Sequence, residues 1–255
     1  MATPRVLILR APGTNCDQES AYAFQQAGGQ TEFIHVNRVL EQPKLLEAFQ
    51  ILCFPGGFSY GDDIAAGRIL GNQVQHHLRE ALLDFKQAGK LILGICNGFQ
   101  ILVRTGLLWD EHELAPPATL TDNQSGRFEC RWVHLKAEGT KCVFMQGIER
   151  LELPVAHAEG NLTFRNQAAM DLLAALGQLA LHYSGPTTEA VAYPANPNGS
   201  QAHVAGLCDA TGRIFGLMPH PERFIDPTHH PHWTRTPRPT GDGLALFQNA
   251  VNYFA

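Results

Sequence analysis

Residues 91–100 read Leu-Ile-Leu-Gly-Ile-Cys-Asn-Gly-Phe-Gln. An unbroken apolar run without polar alternation is the pattern of a strand buried on both faces, as in a parallel sheet. It ends on Cys96, with Gly94 two residues before and Gly98 two after. That spacing describes a sharp strand-to-helix turn, the sulfur counterpart of the Gly-x-Ser-x-Gly nucleophile elbow. The turn strains its central residue and crowds its neighbours, where small residues fit. A helix over 98–105 directs its positive end at the sulfur and favours the thiolate. The main-chain N–H of Asn97 is then free to face a developing oxyanion.

Outward from this stretch, apolar runs at 6–9, 33–36 and 51–54 predict further strands. Helical patterns at 17–27, 43–49 and 72–88 separate them, the last with apolar positions at Val74, Leu78, Leu82 and Phe85. Strands alternating with helices give an α/β, doubly wound, mostly parallel sheet with helices on both faces. The second half alternates more with polar residues. It predicts strands at 128–136, 151–157, 179–183, 204–207 and 214–218, a turn at 208–213 and a closing helix at 244–254. These form a smaller antiparallel extension. No linker interrupts the chain, so residues 1–255 read as a single domain. The Pro- and His-rich stretch 226–243 reads as a surface loop.

Composition narrows the function classes. Of 255 residues, 24 are acidic and 19 basic, a formal net charge of −5. That argues against a dedicated nucleic-acid binder, which clusters Lys and Arg against phosphates. No apolar run is long enough to span a bilayer. The start, Met-Ala-Thr-Pro-Arg, has no long apolar core or small-residue cleavage pattern, so a cytoplasmic location is expected. The six cysteines include no Cys-x-x-Cys pair, which disfavours a zinc knuckle. Most are expected to be buried free thiols.

A cysteine nucleophile needs a base, and the base an orienter. Of the twelve histidines, His220 has the strongest context. It follows the strand at 214–218 in Pro219-His220-Pro221-Glu222, where flanking prolines stiffen the backbone and Glu222 can hold the ring. Pro55-Gly56-Gly57 also follows a strand, and glycine lets a main-chain N–H approach a ligand closely. In open α/β sheets ligands bind beyond the carboxyl ends of the strands, where Gly57 and Cys96 both fall. His229, His230 and His232 lie on a proline-broken loop without a completing ligand set, so no metal site is expected. These residues alone leave three classes open: an amidotransferase, a free-standing cysteine amidase or hydrolase, and a non-catalytic flavodoxin-like binding module.

Three segments carry a resemblance: Pro-Gly-Gly-Phe-Ser-Tyr-Gly-Asp (55–62), Gly-Ile-Cys-Asn-Gly-Phe-Gln (94–100) and Met-Pro-His-Pro-Glu-Arg (218–223). Together they resemble the class I, triad glutamine amidotransferases. Residues 12–17, 154–161 and 198–200 narrow this to the glutaminase subunits of phosphoribosylformylglycinamidine synthases, over nearly the whole chain. The departures are 226–243 and the continuation Asp63-Ile64-Ala65-Ala66. The resemblance implies Cys96 as nucleophile, His220 as acid–base and Glu222 as its orienter. Gly57 and Asn97 would form the oxyanion hole, and Gln100 would help seat glutamine. His157 and Glu159 lie in one such motif, which makes them candidates to line the site, and Cys16 lies in another, where the resemblance implies a structural or partner-facing role rather than a catalytic one. No cofactor is implied in this chain. The implied partners are a synthetase subunit using ATP and magnesium and a small accessory subunit.

Overall fold

The computed structural model describes residues 3–109, 115–138, 141–186 and 191–255. Met1 and Ala2, part of the N-terminal stretch read above, lie outside them. The parallel half of the sheet uses β1 (Arg5–Arg10), β2 (Gln30–His35), β3 (Ile51–Phe54), β4 (Leu91–Ile95) and β11 (Ile214–Leu217). Every residue of β3 and β4 is buried, which explains their uninterrupted apolar sequence. The remaining strands are β6 (Glu129–Ala137), β7 (Arg150–His157), β9 (Leu179–Ser184) and β10 (Val204–Cys208), joined in antiparallel pairs. All nine form one continuous sheet in the order β2-β1-β3-β4-β11-β10-β9-β6-β7.

The order explains where a site can form. From β1 the chain steps outward to β2 through α1 (Asp17–Gln26), then returns past β1 to β3 and β4. Right-handed crossovers in opposite directions put their helices on opposite faces. Accordingly α1 packs on α7 (Leu244–Asn252), with the Phe24 and Phe247 rings 4.9 Å apart. On the other side α3 (Arg68–His77) packs on α5 (Asn97–Thr105). The reversal between β1 and β3 opens a crevice at the carboxyl ends of the strands.

Several boundaries differ from expectation. The helix expected at 72–88 is two helices, α3 and α4 (Arg79–Gln87), broken at Leu78 (φ −118°). Leu78 is itself buried, so the apolar spacing runs through the break and hides it. The stretch 43–49 forms a six-residue 3-10 turn, Pro43–Ala48, behind a short helix α2 (Val36–Glu41). Besides α2, the pattern did not predict α6 (Gln167–Ala175), nor β5 (Ala118–Thr121) paired with β8 (Asn161–Phe164) as a separate two-stranded sheet. Asn166 caps α6 by accepting from the Ala169 N–H at 2.9 Å, a start signal visible in the sequence.

The stretch 226–243 is a largely exposed surface loop, as expected, and it is anchored at a few points. His230 is buried against the Trp132 and Phe224 rings, and Asp242 accepts from the Glu152 N–H at 2.8 Å. Arg238 bridges Asp242 and Glu152. Five cysteines are buried free thiols and Cys130 is exposed. Among the described residues, no helix is long and apolar enough to cross a membrane.

Candidate active site

The ends of the paired strands β4 and β11 meet at Cys96. The cysteine joins β4 to α5 with φ 52° and ψ −106°, a backbone strained for any L residue. The flanking glycines make this possible. A Cβ on Gly98 would land on the Phe54 carbonyl oxygen, and one on Gly94 would meet the Gly98 carbonyl oxygen at 2.6 Å. The Cys96 N–H donates to the Leu217 carbonyl (2.8 Å), and its own carbonyl accepts from Phe99 and Gln100. As the first residue of α5, Asn97 has a main-chain N–H with no partner inside the helix. The thiol is 5% exposed and points toward the Ala156 carbonyl, 3.7 Å away.

The structure brings His220 and Glu222 to this thiol from the end of β11. The His220 N–H donates to the Pro154 carbonyl at 2.8 Å, and Pro221 opens a 3-10 turn, Pro221–Arg223. Nδ1 of His220 lies 2.6 Å from Oε1 of Glu222, and both side chains are buried. Among the described residues, Nε2 has no hydrogen-bond partner. Burial alone would push the imidazole pKa down, but the Glu222 carboxylate and the nearby Cys96 and Cys16 sulfurs outweigh it and hold it well above the usual value.

Gly57 sits across the crevice with φ +143°. A side chain there would strike the Gly13 carbonyl (2.7 Å) and the Asn15 N–H (2.8 Å), because this loop pairs with the one after β1. Gln100 is buried, and both ends of its amide are used inside the chain. Its Oε1 accepts from Asn97 Nδ2 (3.0 Å) and its Nε2 donates to the Glu159 carbonyl (2.6 Å).

Two neighbours lie beside the expected triad and oxyanion residues. Cys16 is packed against Gly56, where it accepts from Arg223 Nη2 at 3.1 Å. Burial raises its pKa against the influence of His220 and Arg223. Donor atoms of Cys16, His220 and Glu222 all lie within 4.8 Å of one another. His157, at the end of β7, is buried with Nδ1 on Asn123 Oδ1 (3.1 Å) and Nε2 unpartnered. Burial and the charge of His220 push its pKa down to about 3. The motif at 154–161 was the one signal pointing to this segment.

A strained cysteine elbow at the strand ends of a 2-1-3-4 parallel sheet, beside a buried His–Glu pair, defines a glutamine amidotransferase of the triad class. The model of the CobB/CobQ-like glutamine amidotransferase domain matches residues 3–254, and the chain belongs to that family. It is 48% identical over 255 residues to phosphoribosylformylglycinamidine synthase subunit PurQ of Dehalococcoides mccartyi, covering 99% of this chain and 98% of the relative. It is 39% identical over 265 residues to the subunit of the same name from Archaeoglobus fulgidus, covering 98% and 96%. Among solved structures it resembles a chain of PurLQS from Thermotoga maritima, with TM-score 0.76, 28% identity and all of both chains covered.

Proposed function

We propose that this chain is the glutaminase subunit of a phosphoribosylformylglycinamidine synthase in purine biosynthesis. The carrying observation is the buried imidazole, fixed at Nδ1 by Glu222 and free at Nε2 beside a cysteine on a strained elbow. Full-length similarity to subunits of that name supports the particular reading.

In this reading the Cys96 sulfur attacks the side-chain amide carbon of glutamine. The N–H groups of Gly57 and Asn97 hold the tetrahedral oxyanion, each such donor being worth about 10²–10³ in rate. His220, protonated on its free nitrogen, gives that proton to the leaving nitrogen. Ammonia departs and a γ-glutamyl thioester remains. His220 then takes a proton from water, which cleaves the thioester to glutamate. Glu222 keeps the ring oriented and stabilises the imidazolium. Gln100 seats glutamine by bracing the walls of the crevice.

The ammonia passes to a synthetase subunit that uses ATP and magnesium to convert formylglycinamide ribonucleotide to its amidine, with a small accessory subunit in the assembly. The chain acts in the cytoplasm as one catalytic domain and needs no cofactor for its half-reaction. The test is ammonia release from glutamine, with and without the candidate synthetase, combined with labelling by a glutamine-like electrophile. Capture of Cys96 and stimulation by the synthetase support the reading. Equal turnover with and without it favours a free-standing hydrolase.

A further inference from the structure

Asn97 does more than present a main-chain N–H. Its side chain, 2% exposed, sits in a chain of hydrogen bonds whose two ends are main-chain groups of fixed polarity. The Ser59 N–H donates to Asn97 Oδ1 at 3.1 Å. Asn97 Nδ2 donates to Gln100 Oε1 (3.0 Å) and to Asp62 Oδ1 (3.2 Å). Gln100 Nε2 donates to the Glu159 carbonyl at 2.6 Å. An N–H only donates and a carbonyl only accepts, so neither amide can be turned round without facing like against like in a buried place.

The loop held this way is the one that carries Gly57. Its far end is also fastened: the Ala66 N–H donates to both Glu159 carboxylate oxygens (3.1 and 3.2 Å), and the Gly67 N–H to Asp62 Oδ1 (3.3 Å). Between these ties Tyr60 and Asp62 adopt φ 56° and 54°. Backbone in that region persists only where its surroundings over-determine it. Ser59, two residues past Gly57, is gripped by the residue next to the nucleophile.

We propose that the Asn97 side chain is a positioning residue: by holding Ser59 and Asp62 it sets the Gly57 N–H against the Cys96 elbow. One residue then fixes both oxyanion donors relative to each other, the first through its main chain and the second through its amide. The inference rests on the glutaminase reading.

Asn97→Asp keeps the shape but removes the donor. Ionised, the new carboxylate faces Asp62 and Gln100 Oε1. Asp63 and Glu159 add negative charge near Asp62, and Arg104 on α5, with Arg68 beside it, is the cationic group near Glu159. Protonated, the new side chain still accepts from Ser59 and has one O–H to donate, enough to remake the bond to Asp62 in place of the repulsion. Lowering the pH therefore restores the tie.

The full chain assembled with its synthetase is assayed for glutamate release between pH 8 and pH 5.5 as wild type, Asn97→Asp and Asn97→Ala. Alkylation of Cys96 by iodoacetamide is followed in each. The expected result is a kcat for Asn97→Asp about 100-fold below wild type at pH 8, the scale of a small misplacement at a reacting centre. KM changes less than kcat. Alkylation stays near wild type, because displacing iodide forms no oxyanion. The ratio of Asn97→Asp to wild type climbs as pH falls, by up to about tenfold per unit, while the lowered ratio for Asn97→Ala stays flat. A deficit in Asn97→Asp that is the same at every pH, or wild-type kcat in Asn97→Ala, overturns the proposal with the glutaminase reading intact. A wild-type chain that releases no glutamate removes both.

Discussion

Oε1 of Glu222 lies 2.6 Å from Nδ1 of His220, with both groups sealed from solvent, while Nε2 of the same ring has no hydrogen-bond partner among the described residues. The carboxylate thus occupies one nitrogen and leaves the other for chemistry. Glu222→Gln keeps a hydrogen-bond partner but removes the charge, whereas His220→Ala would remove the proposed proton transfer, a step worth typically 10²–10⁴-fold. Glutaminase rates are expected to fall less in Glu222→Gln than in His220→Ala. A larger loss at Glu222 would reverse the two roles.

The same pair carries a pH signature. The folded pKa of His220 is raised, so the imidazolium–carboxylate interaction stabilises the fold fully below the ordinary histidine pKa. That stabilisation is lost as pH rises through the folded value. Urea unfolding of wild type and Glu222→Gln at stepped pH should show their difference shrinking across that rise. A difference that grows instead would contradict the assigned charge state.

His157 titrates the other way. Its pKa is pushed down to about 3, so between there and the ordinary value of 6.5 the unfolded chain binds a proton that the folded chain does not. Stability contributed by this site falls as pH drops from about 6.5. His157→Gln should lose less stability between pH 7 and pH 5 than wild type, read from urea midpoints. Equal losses would show that His157 does not stay neutral in the fold.

Cys96→Ala should abolish glutamine-dependent synthesis by the assembled enzyme and spare synthesis from added ammonia, because only the first half-reaction uses the thiol. Parallel loss of both activities in a folded, assembled variant would remove Cys96 from its proposed role.

Gly98→Ala tests the elbow itself. The added methyl would land on the Phe54 carbonyl oxygen, backbone that cannot step aside freely. Overpacking of this kind costs about 1–3 kcal/mol, seen as a lowered Tm together with reduced alkylation of Cys96. An unchanged Tm would mean that the β3–α5 contact is looser than described.

Ile64 is 63% exposed on the loop between Gly57 and α3. A synthetase that grips this loop would hold the Gly57 N–H inward and shift the population toward the active form. Ile64→Ser should leave basal glutaminase activity in place. Losing a buried isoleucine is worth about 1.5–3 kcal/mol, so the synthetase concentration needed for half-maximal stimulation should rise about tenfold or more. Unchanged stimulation would place the docking surface elsewhere.

Local pattern alone determined the central strands of the parallel half, whereas the edge strand β2 runs 30–35, not 33–36 as its apolar run suggested. The runs at 6–9, 51–54 and 91–95 are apolar throughout because both faces of β1, β3 and β4 are covered. The elbow was equally legible, since the glycines flanking Cys96 answer a steric demand made within a few residues. Elements that bury little or bend in place were not: β5 and β8 are four residues each, alternating buried positions with exposed ones in β5 and half-buried ones in β8, and Leu78 stays on the apolar stripe across the break between α3 and α4. Only the tertiary structure decided that Pro154 and Ala156 of β7 reach the His220 and Cys96 loops, that Cys16 packs beside the imidazole, and that Asn97 grips Ser59. Those contacts join segments far apart in the chain through hydrogen bonds whose direction depends on burial and geometry, and neither leaves a period or spacing in the sequence.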